Sequence, residues 1–166
     1  MPRGKLRVDE KEWKKVKRRL TVAKKQVDIG WFNVNYSADN NYLPVAQVAK
    51  WNEEGHRNGG MFAGTITPPR PFIRTLFMHG MEAYMNDNAA RLCWLVGTGK
   101  KTWQEVHEEA GKAGIQMMKD SIDVKQSPKN SPLTIEIKGF NNPLIESGYM
   151  KDTVAFRVKA RRKTKS

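Results

Sequence analysis

The sequence predicts an α+β fold, in which a small antiparallel sheet is flanked by helices, with a long central helix and a flexible glycine-rich loop. Two segments rich in β-branched and aromatic residues, one near each end, favour strands. Between them apolar residues recur at spacings of three and four, which is typical of amphipathic helices. The 166 residues match the size of one domain, so we expect residues 1–166 to fold as a unit.

Residues 9–25, DEKEWKKVKRRLTVAKK, predict a basic N-terminal helix. Acidic residues occupy its first turn and lysines its last turn, an order that the helix dipole favours. A narrow apolar stripe runs between the lysines and consists of Trp13, Val16, Leu20 and Ala23.

A strand and a short helix are predicted next. Residues 27–34, VDIGWFNV, are β-branched and aromatic and favour a strand. After a polar loop, Pro44 opens a helix, PVAQVAKWNEEG, and Gly55 ends it. Its predicted inner face consists of Val45, Val48, Ala49 and Asn52.

The segment that follows, GHRNGGMFAGTITPPRPFIRTLF, places the most flexible part of the chain beside the stiffest. Its glycines make a fixed loop conformation entropically costly, whereas its three prolines favour extended geometry. With Pro71 as its first residue, a long helix then begins. We expect it to run to residues 86–88, to break or kink there, and to resume until Gly97.

A second helix is predicted from a capping box, Thr102-Trp-Gln-Glu105, to about Ser121. Its predicted inner face consists of Val106, Ala110, Ala113 and Met117. The small residues at 110–114 indicate close packing against another helix.

The C-terminal part is predicted to contain one ambiguous element and one strand. Residues 133–139, LTIEIKG, alternate like a strand, but Ser131-Pro132 could equally open a short helix that Gly139 ends. Residues 152–160, DTVAFRVKA, favour a strand with Val154, Phe156 and Val158 on one face.

The net charge of +13 comes from the two ends of the chain. Residues 1–25 hold eleven Lys and Arg against three acids, and residues 151–166 hold seven against one. The other 125 residues hold twelve against thirteen and are close to neutral. The basic N-terminal helix and the basic tail at about 160–166 fit solvated ends, contact with DNA, or contact with an acidic protein.

No group of residues predicts a catalytic, metal or cofactor site. His56, His79 and His107 are scattered, and HEEAG lacks the second histidine of a zinc-protease motif. The GTGK at 97–100 follows a helix, whereas a phosphate-binding loop follows a strand. Cys93 is the single cysteine, so it excludes an internal disulfide, and we expect it to be a core thiol. The predicted protein is not an enzyme and has no cofactor.

The composition also indicates in which cellular compartment the protein is made. No window approaches ~18 apolar residues, so no membrane span is expected. One cysteine suits a reducing environment, and we expect synthesis in a cytoplasm.

Four segments occur in a characteristic order, namely VDIGWFN, VAQVAKWNEEG, PPRPFIRTLF and KGFNNPLIESGYMKDTVAFRV. This order resembles the tail-completion or neck proteins of tailed bacteriophages, a family also labelled minor tail component or virion morphogenesis protein. The resemblance spans residues 27–158, although Glu146-Ser147 replaces the more usual Asp-Thr. The matching residues are Gly30, Ala46, Ala49, Asn52, Glu53, Gly55, Pro69, Arg70, Pro71, Phe72, Lys138, Gly139, Pro143, Leu144, Ile145, Gly148 and Met150.

The resemblance implies a structural protein of the virion, located at the neck after assembly in the host cytoplasm. Members of the family form a ring, usually taken to be hexameric, that completes the tail. The ring joins the tail tube or tail terminator protein to the head-closure or connector protein. The implied fold is α+β, and it favours a short helix for residues 132–138. A tail terminator or head-closure ring protein is the nearest alternative, and a nucleic-acid-binding protein acting through its basic termini is another.

Contact residues are predicted in and beside the glycine-rich loop, namely Arg57, Met61, Phe62, Arg70 and Arg74. In this hypothesis Pro68–Pro71 anchors Phe72 in the core and aims Arg70 outwards, while the Gly55–Thr67 loop stays mobile until a neighbour orders it. Two alternatives are purely structural. PPRPF would be a hinge needed only for folding, and PLIESG would be a turn that packs Leu144 and Ile145 into the core.

Overall fold

The computed structural model describes residues 9–21, 25–38, 41–60, 63–124, 127–145 and 147–160. The elements in chain order are α1 (Glu10–Leu20), β1 (Lys25–Gly30), α2 (Val45–Glu54), β2 (His56–Arg57), β3 (Ile66–Thr67), α3 (Phe72–Thr75), a π-helical segment (Leu76–Met81), α4 (Glu82–Gly97), α5 (Trp103–Val124), α6 (Pro132–Lys138), α7 (Tyr149–Asp152) and β4 (Ala155–Ala160). The predicted α+β fold, with its small antiparallel sheet and long helix, is confirmed.

The main sheet pairs the first long strand with the last. β1 and β4 are antiparallel, and their register runs from Lys25 opposite Ala160 to Gly30 opposite Ala155. The predicted first strand extended too far, because Trp31 leaves the ladder and buries its indole, whose Nε1 donates to the Met150 carbonyl at 2.7 Å. The predicted last strand began too early, since α7 occupies residues up to Asp152.

α5 lies between the sheet and the helical run that begins at Phe72. Gly111 and Gly114 face the sheet, and a methyl group at either position would overlap the Phe156 ring or the Ile29 side chain. The predicted packing of these small residues against another helix is therefore wrong for Gly111, whereas Gly114 lies against both the sheet and Met81 of the π-helical segment. Met118 and Ile122 continue the sheet-facing side of α5, which is rotated by one residue from the predicted face.

The helical run from Phe72 to Gly97 is continuous, so the predicted break at residues 86–88 is wrong. The irregularity is instead the π-helical segment, Leu76–Met81. Leu92 follows Leu76 by 16 residues, which would separate them by about 160° on an uninterrupted α-helix. A π turn holds roughly one extra residue and reduces that angle to about 60°. Leu76 and Leu92 can therefore both face α5.

Two buried clusters lie along this helical run. The larger one surrounds Phe72 and Leu76 and includes Met118 and Ile122 of α5. The smaller one consists of Leu92, Val96 and Val106, with Trp103 packed against it. Beside it, the predicted capping box forms, since the Thr102 N–H donates to the Glu105 carboxylate at 2.7 Å and the Glu105 N–H to the Thr102 hydroxyl at 3.2 Å.

α1 ends at Leu20 and Lys25 already belongs to β1, so the predicted helix over residues 9–25 extended too far, and residues 22–24 lie outside the described residues. α1 packs on the end of α4, where Val16 and Leu20 approach Gly97. The Arg19 guanidinium donates to the Gly97 carbonyl at 3.1 Å. Val16 and Leu20 of the predicted apolar stripe are thus used, whereas Trp13 is exposed and Ala23 lies outside the described residues.

The ambiguous segment 133–139 forms a helix. Ser131 accepts the Thr134 N–H at its N-terminus, and Gly139, with φ of 75°, ends it in the left-handed conformation. In the described parts of the chain, no helix is long and apolar enough to cross a membrane.

Substitution of Gly111 by alanine tests the close contact between α5 and the sheet. Gly111→Ala is expected to lower the free energy of unfolding by about 1–3 kcal/mol, because the Phe156 ring and its strand must shift. Chemical denaturation measures the change.

Gly97→Ala is the matched control within a helix. A methyl group there would meet Val16 Cγ1 at 3.6 Å, an ordinary contact, so stability should be equal or up to ~1 kcal/mol higher. Equal stabilities for the two variants would contradict the close packing at Gly111.

Candidate functional site

Two of the segments that carry the family resemblance meet at the junction of residues 52–55 with residues 67–74. We call this place the motif joint. The start of the helical run cannot cap itself, because its N-cap residue is Pro71 and makes no side-chain hydrogen bond. The carboxylate of Glu53 supplies the acceptors, with Oε2 bound to the Ile73 N–H at 2.8 Å and Oε1 to the Arg74 N–H at 3.0 Å. A negative charge at this end also matches the helix dipole.

The backbone of the two segments is joined as well. The Asn52 carbonyl accepts the Arg70 N–H at 2.7 Å, while its side-chain amide donates back to Val48 in α2. Gly55 ends α2 with φ of 74°, and a Cβ there would lie 2.9 Å from the Pro69 nitrogen and the Thr67 carbonyl oxygen. Only glycine fits that conformation and that distance without strain.

The motif joint places Phe72 in the core, as predicted. Phe72 is completely buried, and its carbonyl accepts the Ser121 hydroxyl of α5 at 2.7 Å. Its ring meets the Trp31 ring edge-on, with 6.2 Å between centroids. Phe72 therefore connects the helical run to α5 and to the segment after β1.

The prediction that Arg70 points outwards is wrong. Arg70 is 5% exposed, and its guanidinium binds the loop before α6, with Nε donating to the Pro128 carbonyl at 3.0 Å. Its Nη2 donates to the Lys129 carbonyl at 3.4 Å and to Asn130 Oδ1 at 3.3 Å. Burial lowers the pKa of Arg70 from its ordinary value, since desolvation penalises the charged form. Arg70 links the motif joint to the C-terminal part of the chain.

The C-terminal motif residues are structural in the same way. Pro143 and Leu144 are buried, and Ile145 packs against the larger core cluster. Gly148, with φ of 80°, precedes α7 and places the Met150 carbonyl against Trp31. These contacts agree with the interpretation of PLIESG as a turn that packs into the core.

The remaining matching residues differ in burial, since Ala49 of α2 is buried and Ala46 is exposed. Gly30 is buried at the end of β1, Pro69 is exposed and Pro71 is partly buried. Gly139 ends α6, whereas the side chain of Lys138 lies outside the described part of the structure.

Of the predicted contact residues, Arg57 and Arg74 are exposed. Both belong to segments joined to the end of α2, and neither makes an ion pair with a described residue. Met61 and Phe62 lie outside the described residues. The loop that carries them begins and ends in a short hairpin, in which His56 pairs with Thr67 and Arg57 with Ile66.

A groove of about 590 Å³ runs between the π-helical segment and the second half of α5. Leu76, Met117 and Val124 make much of its lining apolar. Three of its polar side chains are engaged, since Asp120 accepts from Gln116 at 2.8 Å, Ser121 donates to the Phe72 carbonyl and Thr75 donates to the Pro71 carbonyl. His79 and Ser127 also line it. The groove suits an apolar group better than acid–base chemistry.

The potentially reactive residues of the described ranges form no other candidate site. No group of three or more His, Cys, Asp or Glu residues there could hold a metal ion. Cys93 is exposed on α4, so the prediction of a core thiol is wrong, because its neighbour Leu92 occupies the inward position instead.

Comparison of the chain with protein-family models, curated proteins and solved structures finds no match.

Replacing Arg70 by alanine tests the buried link. Arg70→Ala is expected to lower the free energy of unfolding by about 2–3 kcal/mol, because it leaves the Pro128 and Lys129 carbonyls and Asn130 without their donor. Thermal or denaturant unfolding measures this change.

Arg74→Ala removes the same side chain from an exposed position four residues further on, and should change stability by less than about 0.5 kcal/mol. Equal effects of the two substitutions would argue against the structural role of Arg70.

Proposed function

We propose that this protein is a structural component of the neck of a tailed bacteriophage. In this role it forms a ring that completes the tail and joins it to the connector beneath the head. The protein is then a non-enzymatic part of the virion, and its partners are further copies of itself, the connector or head-closure protein, and the tail tube or tail terminator protein.

One observation carries the proposal. The segments that match the neck-protein pattern, although distant in sequence, are joined through Glu53 and through Trp31, and Arg70 ties them to the loop before α6. If the pattern were that of an enzyme family, the matching residues would be expected to place reactive groups around a cavity. Here most of the described matching residues cap a helix, allow close backbone contact or fill the core, as a family defined by its architecture requires.

The scaffold also positions the exposed residues that would contact a partner. Glu53 holds the backbone of Arg74, and Gly55 leads directly into the hairpin that carries Arg57. Two exposed cations are thus held on a rigid base, where they favour contact with an acidic surface of a neighbouring subunit or of the tail. A head-to-tail contact of this kind closes into a ring when its rotation permits.

Deletion of the gene from a phage that encodes this chain tests the role. Electron microscopy of the lysate should show DNA-filled heads beside separate tails of normal length, because the joint is missing. Tails of uncontrolled length would indicate a tail terminator instead, and emptied heads a head-closure protein. Intact infectious particles would contradict all three roles.

Complementation of that deletion tests the contact surface. The double variant Arg57→Glu, Arg74→Glu should fold normally but restore few infectious particles, since it reverses two exposed charges. Lys50→Glu, Lys112→Glu is the control with the same charge change on α2 and α5. Full rescue by the first variant would show that Arg57 and Arg74 are not needed for assembly.

A further inference from the structure

Both outer edges of the main sheet are open in the described part of the chain. There β1 and β4 pair only with each other. In an antiparallel pair, every second residue of a strand turns its N–H and C=O groups away from the partner strand. No backbone group of a described residue outside the ladder binds these outward groups. Each edge can therefore accept a further strand.

Neither strand has a backbone feature that would prevent such an addition. The register between Lys25–Ala160 and Gly30–Ala155 is continuous, so the ladder contains no bulge, and neither strand contains proline. Proteins also protect open edges with charged side chains. The charges of β1 and β4 therefore decide which edges can meet.

The charged side chains lie on the face of the sheet that points away from α5. Ile29 and Phe156 are opposite each other in the ladder, and both lie against glycines of α5. Because side chains alternate along a strand, the neighbouring positions face the other way. They are occupied by Gln26 and Asp28 in β1 and by Arg157 and Lys159 in β4.

One carboxylate on this face serves two cations. Lys159 hydrogen-bonds to the Asp28 carboxylate, and Arg157 Nε lies 3.7 Å from it. The hydrogen bond from Lys159 is the main cause that lowers the pKa of Asp28, so the carboxylate stays ionised. The Arg157 guanidinium lies 4.0 Å from the centroid of the Phe32 ring, and the Arg157 side chain is still 52% exposed. β1 thus carries a negative charge, and β4 carries a positive excess with an accessible guanidinium.

Two copies could join their open edges in three ways, and the charges favour one of them. Pairing of β4 with β4 would bring Arg157 and Lys159 beside the same cations of the other copy. Pairing of β1 with β1 would bring two Asp28 carboxylates together. Like charges on adjacent strands are destabilising, whereas opposite charges are favourable. Only the pairing of β4 with β1 places a second carboxylate beside Arg157.

We propose that copies of this chain join by adding the β1 edge of one copy to the β4 edge of the next. The second copy's Asp28 then lies beside Arg157, and the sheet continues from one copy into the other. The contact uses a different edge on each side, so it is head-to-tail and repeats until a ring closes. This inference rests on the proposed ring, because it names the contact between neighbouring copies.

The ring also fixes the direction of the new strand pair. In a ring whose strands run along its axis, β1 of every copy points the same way, and β4 of every copy points the opposite way. β4 and the next β1 are therefore antiparallel, as β1 and β4 are within one copy. In the closed ring every strand of this sheet has two neighbours, so no edge stays open.

Chemical cross-linking of two cysteine variants tests the contact on the full chain. Both variants carry Cys93→Ser, which removes the exposed native thiol. One also carries Gln26→Cys in β1 and the other Ala160→Cys in β4, so each chain has a single thiol. With Arg157 opposite the second copy's Asp28, the two positions lie about 6 Å apart, within reach of a bismaleimide with an arm of about 10 Å. Circular dichroism confirms that each variant is folded.

The mixture of the two variants should give a cross-linked dimer that contains one copy of each. Protein concentrations up to about 1 mM are used, where even a contact with a Kd of about 1 mM is populated. Each variant alone should give at least about tenfold less dimer, because its thiols lie on edges that do not meet. Absence of the mixed dimer, or equal yields with and without mixing, would overturn the proposal.

A charge exchange tests why these edges match. The exchanged chain carries Asp28→Lys, Arg157→Glu and Lys159→Glu, so opposite charges still face each other within one copy. Two exchanged chains should cross-link as well as two chains with the natural charges. One exchanged chain and one natural chain should cross-link at least about tenfold less, since like charges then meet.

The matched control is Lys50→Glu on the exposed surface of α2, which makes the same change in net charge. It should leave the cross-link unchanged whether one or both chains carry it. Equal yields from matched and mismatched strand charges, or loss of the cross-link between two folded exchanged chains, would overturn the proposal.

The cross-linking experiment and the gene deletion can fail separately. The deletion reports on the joining of heads to tails, whatever contact holds the ring together. A mixed cross-link with intact phage from the deletion would keep the contact and contradict the neck role. Separate heads and tails without a mixed cross-link would keep the neck role and overturn the edge contact.

Discussion

The structure depends on a helix that cannot begin without help from another part of the chain. The run from Phe72 to Gly97 contributes to both buried clusters, but Pro71 offers its first amide groups no side-chain acceptor. Buried or partly buried amides without acceptors are costly, and hydrogen bonds to a charged group contribute more than neutral ones. Glu53 meets this need with both carboxylate oxygens. The direction of the long helix is therefore set by α2, since Asn52, Glu53 and Gly55 hold its entry segment.

A second constraint acts at the centre of the molecule. α5 reaches the sheet only because Gly111 and Gly114 have no side chains, and it reaches the π-helical segment where Gly80 lies close to Met117. One helix thus separates a two-stranded sheet from a long helical run. A two-stranded sheet is marginal by itself and needs such packing. The helix, the sheet and the helical run stabilise one another.

Much of the fold could be predicted because local signals were strong. The capping box at Thr102, the stop at Gly55 and the burial of Phe72 all follow from residue type and spacing. The π-helical segment could not be predicted, because no local pattern distinguishes Leu76–Met81 from an α-helix. The segment changes only which residues before and after it face the two separate buried clusters. The short hairpin was missed because two-residue strands carry no period. Cys93 was misplaced because it lies between two apolar residues, of which Leu92 faces inward but Trp94 is exposed.

The sequence predicted which residues belong to the candidate site, but not what each of them does there. The pattern PPRPF identified Arg70 as important, yet an arginine beside prolines usually predicts an exposed cation. Its partners are backbone carbonyls almost sixty residues away, which no local pattern reveals. The role of Glu53 as a hydrogen-bond acceptor could have been predicted from the sequence. Pro71 provides no side-chain acceptor for the first N–H groups of the helix that follows it, so the acceptor must come from another part of the chain.

The pairing of the first long strand with the last also has a consequence for how the chain acquires its structure. During synthesis β1 is made early, but its only ladder partner, among the described strands, is β4, which is made after every helix. Until then Ile29 and the glycine face of α5 have no second strand to complete their contact. The domain is thus rich in contacts between distant parts of the chain, a property that slows folding. The nascent protein must wait for its last strand, and during that time an apolar surface is open to chaperones.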